Sequence, residues 1–259
     1  SEILDYDLKE LCLNNPEKKL DLTQYTQPAL FVVNALAWYK NQADGGNAKP
    51  DYALGHSLGE YNALLAAGAF DFETGLKLVK KRGELMAAAS GGSMAVVAKL
   101  PIEEVQKRLT EKHLDQIDLA NYNTPTQIVL SGPDDAIQTA ISVFKEAKKG
   151  KVVRLKVSAP FHSRYMEPAA REFTQFLKNF TFAPPEFPVI ANATARPYPP
   201  DKVGELLARQ IVSSVQWIDS IRYLMGKGED LQFTEINSKI LTRMVKEIRK
   251  SCTPITESE

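Results

Sequence analysis

The chain reads as an α/β fold, a parallel-sheet core interrupted by a smaller βαββαβ unit, and three observations lead there. First, the short extended stretch Asp51-Tyr-Ala-Leu-Gly runs into an alanine- and leucine-rich helix from Leu58 to Ala67 that Gly68 stops, giving strand, sharp turn and helix in succession. Second, the pattern from Ser93 onward reads strand, helix, two strands, helix, strand, the ferredoxin-like order. Third, 259 residues, 44% hydrophobic and 25% charged, suffice for one large domain with an insert. The expected division is a core of residues 1–92 and 159–259 and an inserted subdomain of residues 93–158.

The N-terminal stretch is amphipathic and helix-like, with Ile3, Leu4, Leu8 and Leu11 on one side. Thr26-Gln27-Pro28 predicts a helix start, a hydroxyl cap with proline in the first turn, leading into the largely apolar ALFVVNALAWY. Within the insert, MAVVAKL is a strand and PIEEVQKRLTEKH a helix opened by proline. QIDLAN and QIVLSG are strands, Pro133 to Lys148 a helix, and KVVRLKV the last strand. PFHSRYMEPAAREFTQFLKNF then gives a loop and helix, PVIANAT a strand, LQFTEI a strand-like stretch, and ILTRMVKEIRK a final amphipathic helix. Pro254 to Glu259 is expected to fray.

Lys plus Arg balances Asp plus Glu at 32 each, so no global field favours nucleic acid or an anionic membrane, and recognition by charge has to be local. No apolar run approaches transmembrane length. Cys12 and Cys252 sit at opposite ends without metal-ligand spacing, which fits a reducing, cytoplasmic compartment. Asn179-Phe-Thr181 and Asn192-Ala-Thr194 match glycosylation triplets, a motif short enough to arise by chance. The abrupt amphipathic beginning leaves room for an upstream segment.

LVKKRGELM, residues 78–86, places three cations in a row inside a helix. At about 100° per residue, Leu76, Leu78, Val79, Gly83, Leu85 and Met86 share one half of the wheel and Lys77, Lys80, Lys81 and Glu84 the other. Arg82 falls in the apolar half. A guanidinium keeps its proton, so burying it calls for an anion or a set of carbonyls around it. Lys80 and Lys81 are expected on a solvated face.

Gly55-His56-Ser57-Leu58-Gly59 fits the Gly-x-Ser-x-Gly elbow and falls where that motif belongs, between a short strand and a helix. The turn presents the Ser57 hydroxyl at a helix N-terminus, where free backbone N–H groups, Leu58's first, can hold an oxyanion. A serine nucleophile needs a base, and the chain has three histidines. His56 adjoins Ser57, so its side chain should diverge into packing; His113 stands among charges at a helix end. His162, in the loop after the insert, is the remaining candidate. No carboxylate stands out to orient it, and a backbone carbonyl could serve.

GHSLGEY, RGELM, NYNTPTQIVLSG, PFHSRYMEPA and TQPALFVVNALAWY together resemble the malonyl-CoA:acyl carrier protein transacylase family, in order along nearly the whole chain. DFETGLKLVKKRGELM is most similar to the free-standing acyltransferases that serve polyketide synthases in trans. The resemblance implies a hydrolase-like α/β core with a ferredoxin-like insert, Ser57 as nucleophile, His162 as base and Arg82 as the clamp for the malonyl carboxylate. Gln27 either lines the pocket or serves at the helix start, and Phe161 resembles the malonyl-selecting form of the motif. It also implies malonyl-CoA as substrate, the phosphopantetheine thiol of an acyl carrier protein as acceptor, no bound cofactor or metal, and a monomer. Lys148, Lys149 and Lys151 could meet an acidic carrier surface or simply be solvated.

Three departures from the family pattern stand out. The initial strand with its Gly-Gln-Gly-Ser-Gln element, which supplies a second oxyanion donor in the family, is not in this sequence. The late Glu-Ile-Gly-x-Gly loop is here Glu235-Ile-Asn-Ser-Lys239, which leaves the partner of His162 open, and Pro160 replaces a smaller residue. A thioester hydrolase that edits stalled carrier proteins, or an inactive carrier-docking module, are the competing readings. Arg82 argues against the hydrolase, since neutral acyl groups have no use for a buried cation.

Overall fold

The structure, a computed structural model, describes residues 2–45, 49–147, 150–228 and 230–256. The N-terminal helix α1 (Leu8–Asn14) is capped by the Asp7 side chain and followed by a short 3₁₀ segment. The long helix α2 (Thr23–Ala43) comes next. β1 (Ala53–Leu54) leads through the elbow to α3 (Gly59–Ala66), and α4 (Phe72–Ala88) follows, capped by Asp71. β1 pairs in parallel with the later β6 (Val189–Ile190), and these two short strands form the parallel sheet.

Between them come β2 (Gly92–Ala98), α5 (Ile102–Glu111), β3 (Asp118–Thr124), β4 (Gln127–Pro133), α6 (Asp134–Glu146) and β5 (Lys151–Arg154). Their strands form an antiparallel sheet in the order β3-β4-β2-β5. The chain then runs through α7 (Glu167–Leu177), α8 (Val203–Gln210), α9 (Trp217–Met225) and α10 (Ile240–Ser251).

The apolar residues sort into separate cores. One joins α2, α3 and α4 to residues of α7 and α8, so both halves of the chain around the antiparallel sheet build it together. A second lies among the inner faces of β2 and β4 and the buried stripes of α5 and α6. A third joins Val215, Trp217 and Ile221 to Val245 and Ile248. The loop after α8 is hydrogen-bonded to the edge strand β3: Tyr122 N–H donates to Val215 O, and Val215 N–H donates to Ala120 O.

Four sequence expectations need correction. The tail expected to fray from Pro254 is held at Ile255, whose N–H donates to Arg222 O. α2 begins at Thr23 rather than at Thr26, and Pro28 lies inside it. The first turn is bonded to Leu22 O by the Tyr25 and Thr26 N–H groups, and it packs on Gly83 of α4, where an added Cβ would lie 3.2 Å from the Gln24 Cα. LQFTEI forms no strand; no ladder partner reaches it, and Phe233 packs on the third core instead. Lys80 is not a solvated cation, since its Nζ donates to Ile3 O and pairs with Asp5, tying α4 to the N-terminal segment. Lys148 and Lys149 lie outside the described residues; Lys151 opens β5 and is exposed.

Among the described residues no helix is long and apolar enough to cross a membrane, and no group of His, Cys, Asp and Glu could hold a metal ion.

Candidate active site

The turn between β1 and α3 is built by crowding. A Cβ on Gly55 would sit 2.0 Å from the backbone carbonyl of Gly59, whereas one on Gly59 would meet nothing within 4 Å. The Gly-x-Ser-x-Gly pattern carries two glycines, and the geometry requires the first. Gly55→Ala is therefore expected to cost more than about 3 kcal/mol of stability, because backbone rather than a movable side chain must give way. Gly59→Ala should stay within about 1 kcal/mol of the parent, since Ala is the better helix former. Urea titrations of the two variants check the contrast.

At the apex, Ser57 adopts a left-handed φ of 51°, a sparsely populated conformation for a residue with a Cβ. Asn192, just past β6, holds it there: its Oδ1 accepts the Ser57 N–H at 2.7 Å and its Nδ2 donates to Gly55 O at 2.7 Å. The Ser57 N–H is thus occupied. The Leu58 N–H has no hydrogen-bond acceptor among the described residues and remains available at the start of α3.

His162 also has positive φ, 56°, and is buried. Its Nδ1 lies 2.9 Å from the main-chain O of Gln210, an obligate acceptor, so Nδ1 carries the hydrogen. Nε2 is then the acceptor for the Ser57 hydroxyl, 2.8 Å away. Burial, and next the positive charge of Arg82, pull the imidazole down to about 3, which keeps it neutral. The stability consequence has a definite sign. Between about 3 and 6.5 the unfolded chain binds this proton and the folded one does not, so stability falls as pH drops through that window, by on the order of 1.4 kcal/mol per unit. Chemical denaturation of the parent and of His162→Gln between pH 4 and 7 should show the steeper loss on acidification in the parent.

Arg82 sits where the wheel placed it, 1% exposed. Its direct hydrogen-bond partners are neutral oxygens, and the buried Glu60 carboxylate acts on it at longer range. Nη1 donates to Gln27 Oε1 at 2.5 Å, and Nη2 donates to Gln210 Oε1 at 2.8 Å and to Ser57 Oγ at 3.0 Å. Its Nε is buried without an acceptor, and the guanidinium lies over the Tyr61 ring, 5.4 Å from the centroid. Among the described residues, no carboxylate forms a direct ion pair with it. A cation held this way, one hydrogen bond from a serine hydroxyl, is arranged to receive an anionic group. A cleft of about 530 Å³, lined by His162, Arg164, Arg209, Ser213 and Gln216 among others, borders the site at His162.

The model of the acyl transferase domain family matches residues 1–252. The chain belongs to this family. It is 52% identical over 251 residues to the polyketide biosynthesis malonyl CoA-acyl carrier protein transacylase PksC of Bacillus subtilis, covering 96% of this chain and 86% of the relative. Its fold is similar to that of the malonyl CoA-acyl carrier protein transacylase of Burkholderia pseudomallei, with a TM-score of 0.93 and 46% identity over 98% of this chain and 88% of that one. It is also similar to a malonyl-transacylase solved in complex with a type II polyketide synthase acyl-carrier protein, with a TM-score of 0.90 and 32% identity over 99% of this chain and 84% of that one.

Of the residues singled out in this acyl transferase sequence, Ser57, Leu58, His162, Arg82 and Gln27 converge on one site. Phe161 is buried in the main core next to His162. His56 diverges as expected, its Nε2 bonded to Asn123 Oδ1 at 2.8 Å and its ring against Trp217. His113 is exposed. Glu235 caps α10 through the Leu241 and Thr242 N–H groups, so the altered loop has a structural use and the partner of His162 lies elsewhere. Pro160 packs against Gly92, where a Cβ would be 2.6 Å from its ring. The sequence reading missed Gln210 and treated Asn192 only as a glycosylation triplet, although it is buried.

Proposed function

We propose that this acyl transferase moves a malonyl group from malonyl-CoA to the phosphopantetheine thiol of an acyl carrier protein, through a malonyl ester on Ser57. The observation that carries the reading is Arg82: a buried guanidinium without an ion-pair partner among the described residues, hydrogen-bonded to the same Ser57 hydroxyl that faces His162. Relatives named malonyl-CoA transacylases, at about half identity, support it.

In the first step His162 Nε2 takes the Ser57 proton as Oγ attacks the thioester carbonyl. The oxyanion forms against the Leu58 N–H. The tetrahedral adduct collapses, the C–S bond breaks, and the proton on His162 goes to the CoA sulfur. In the second step the carrier thiol gives its proton to His162 and attacks the ester, and Ser57 recovers its proton on leaving. The malonyl carboxylate pairs with Arg82 throughout; burial is the larger cause of the depression at His162, and the pairing offsets the second, the Arg82 charge, which favours a stronger base when the acid-bearing substrate is in place. Gln27 holds the guanidinium, and Phe161 belongs to the wall that selects malonyl.

The antiparallel sheet with α5 and α6 is read as a ferredoxin-like subdomain of residues 93–158, inserted in a hydrolase-like core of residues 1–92 and 159–259; its separate hydrophobic core supports that division. A monomer working in the cytoplasm without a resident cofactor goes with this reading. The test is stopped-flow acylation with malonyl-CoA and acetyl-CoA, followed by transfer to a holo carrier protein. Transfer of malonyl in preference to acetyl is expected; equal transfer of both contradicts the role given to Arg82.

A further inference from the structure

Glu60 is fully buried in the first turn of α3, three residues beyond Ser57, and the chemistry described so far gives it no role. Its carboxylate is a hub. Oε2 accepts Gln210 Nε2 at 2.6 Å and the Asn192 N–H at 3.2 Å, and Oε1 accepts the Tyr198 hydroxyl. Each of the first two partners in turn holds a reacting group. Asn192 fixes the strained Ser57 backbone. Gln210 offers its main-chain O to His162 and its Oε1 to Arg82, while its Nε2 also reaches Ser57 O at 2.9 Å.

The donor inventory fixes how this works. A guanidinium only donates and a carboxylate only accepts, so an amide lying between them has one orientation, oxygen toward Arg82 and NH₂ toward Glu60. The amide bridges Arg82 and Glu60, which make no direct contact with each other. Tyr61 and Tyr198 are the other titratable groups around the carboxylate.

We propose that Glu60 is a positioning residue: by holding Gln210 and Asn192 it sets the places of Arg82, His162 and Ser57 at once, and so governs both the rate of acylation and the preference for malonyl. Its function is as an acceptor at a fixed point rather than as a charge. Burial pushes the carboxyl up to about 7 against its three donors and Arg82, so the neutral form is already accessible near neutral pH.

The inference rests on the transferase reading, and two conservative variants test it separately. Glu60→Gln keeps the length and an acceptor oxygen but removes the charge. Glu60→Asp keeps the charge but withdraws it by one methylene from Gln210. With folding checked by calorimetry, malonyl and acetyl acylation are measured by rapid quench. Glu60→Gln should retain kcat within about ten-fold, whereas Glu60→Asp should lose on the order of a hundred-fold, as expected for displaced reacting groups. Glu60→Asp should also lose about ten-fold or more of the malonyl-over-acetyl preference, since Arg82 loses its brace. A folded Glu60→Asp with parent kinetics overturns the proposal, as does a Glu60→Gln impaired at least as badly as Glu60→Asp. If instead the parent forms no malonyl adduct, it is the function that fails, before Glu60 is altered.

Discussion

Replacing Arg82 by alanine is expected to lower kcat/KM for malonyl-CoA by about 2–5 kcal/mol, on the order of thirty- to several-thousand-fold, while acetyl-CoA is used no worse than before. The asymmetry follows from the site. In the resting protein the guanidinium is buried among the side-chain oxygens of Gln27, Gln210 and Ser57, with no direct ion pair to a carboxylate among the described residues. A substrate carboxylate supplies the direct ion-pair partner, with Glu60 acting only at longer range. An acetyl group brings none, and leaves the cation desolvated and unpaired. Stability should respond far less than activity. Removing a desolvated cation relieves a cost, while the Gln27 and Gln210 oxygens lose a donor, and the two effects offset to within about 2 kcal/mol. Steady-state kinetics with both donors, alongside calorimetry, measure the two effects independently.

The second large effect is expected at His162. His162→Ala should reduce acylation by on the order of 10⁴-fold or more, because the Ser57 hydroxyl loses the acceptor 2.8 Å away and no other base lies within reach among the hydrogen bonds of Ser57. Affinity for malonyl should be retained, since Arg82 and Gln27 are untouched. Single-turnover rates set against equilibrium binding of malonyl-CoA separate the two quantities.

Much of this site was legible because burying polar groups is costly and leaves a periodic trace. Arg82 was found by helical phase alone, as a cation on an apolar face, before any partner was known. The same logic would have found Gln210, which follows Val203, Leu206 and Leu207 on the buried face of α8, and Glu60, which precedes Leu64 by one turn on α3. An amide draws less notice than a charge, and Glu60 reads as an ordinary acidic residue in the first turn of a helix. Asn192 carried a different signal, its place just past the end of a parallel strand, where sites gather in α/β sheets.

What the sequence could not reveal depends on contacts between distant segments. The carbonyl that orients His162 is main chain and leaves no mark on residue type. The first turn of α2 packs against Gly83, some sixty residues away, and the strand-like LQFTEI finds no ladder partner. Lys80 looked solvated because its acceptors, Ile3 O and Asp5, lie in the N-terminal segment.

The claim on which the account depends is that Ser57 carries the malonyl group between the two thiols. Intact-mass spectrometry after brief incubation with malonyl-CoA, followed by peptide mapping, tests it directly. The account predicts one malonyl adduct on the peptide containing Ser57, absent in Ser57→Ala and discharged when a holo carrier protein is added. An adduct that persists in Ser57→Ala, or transfer to the carrier protein with Ser57 absent, would contradict it.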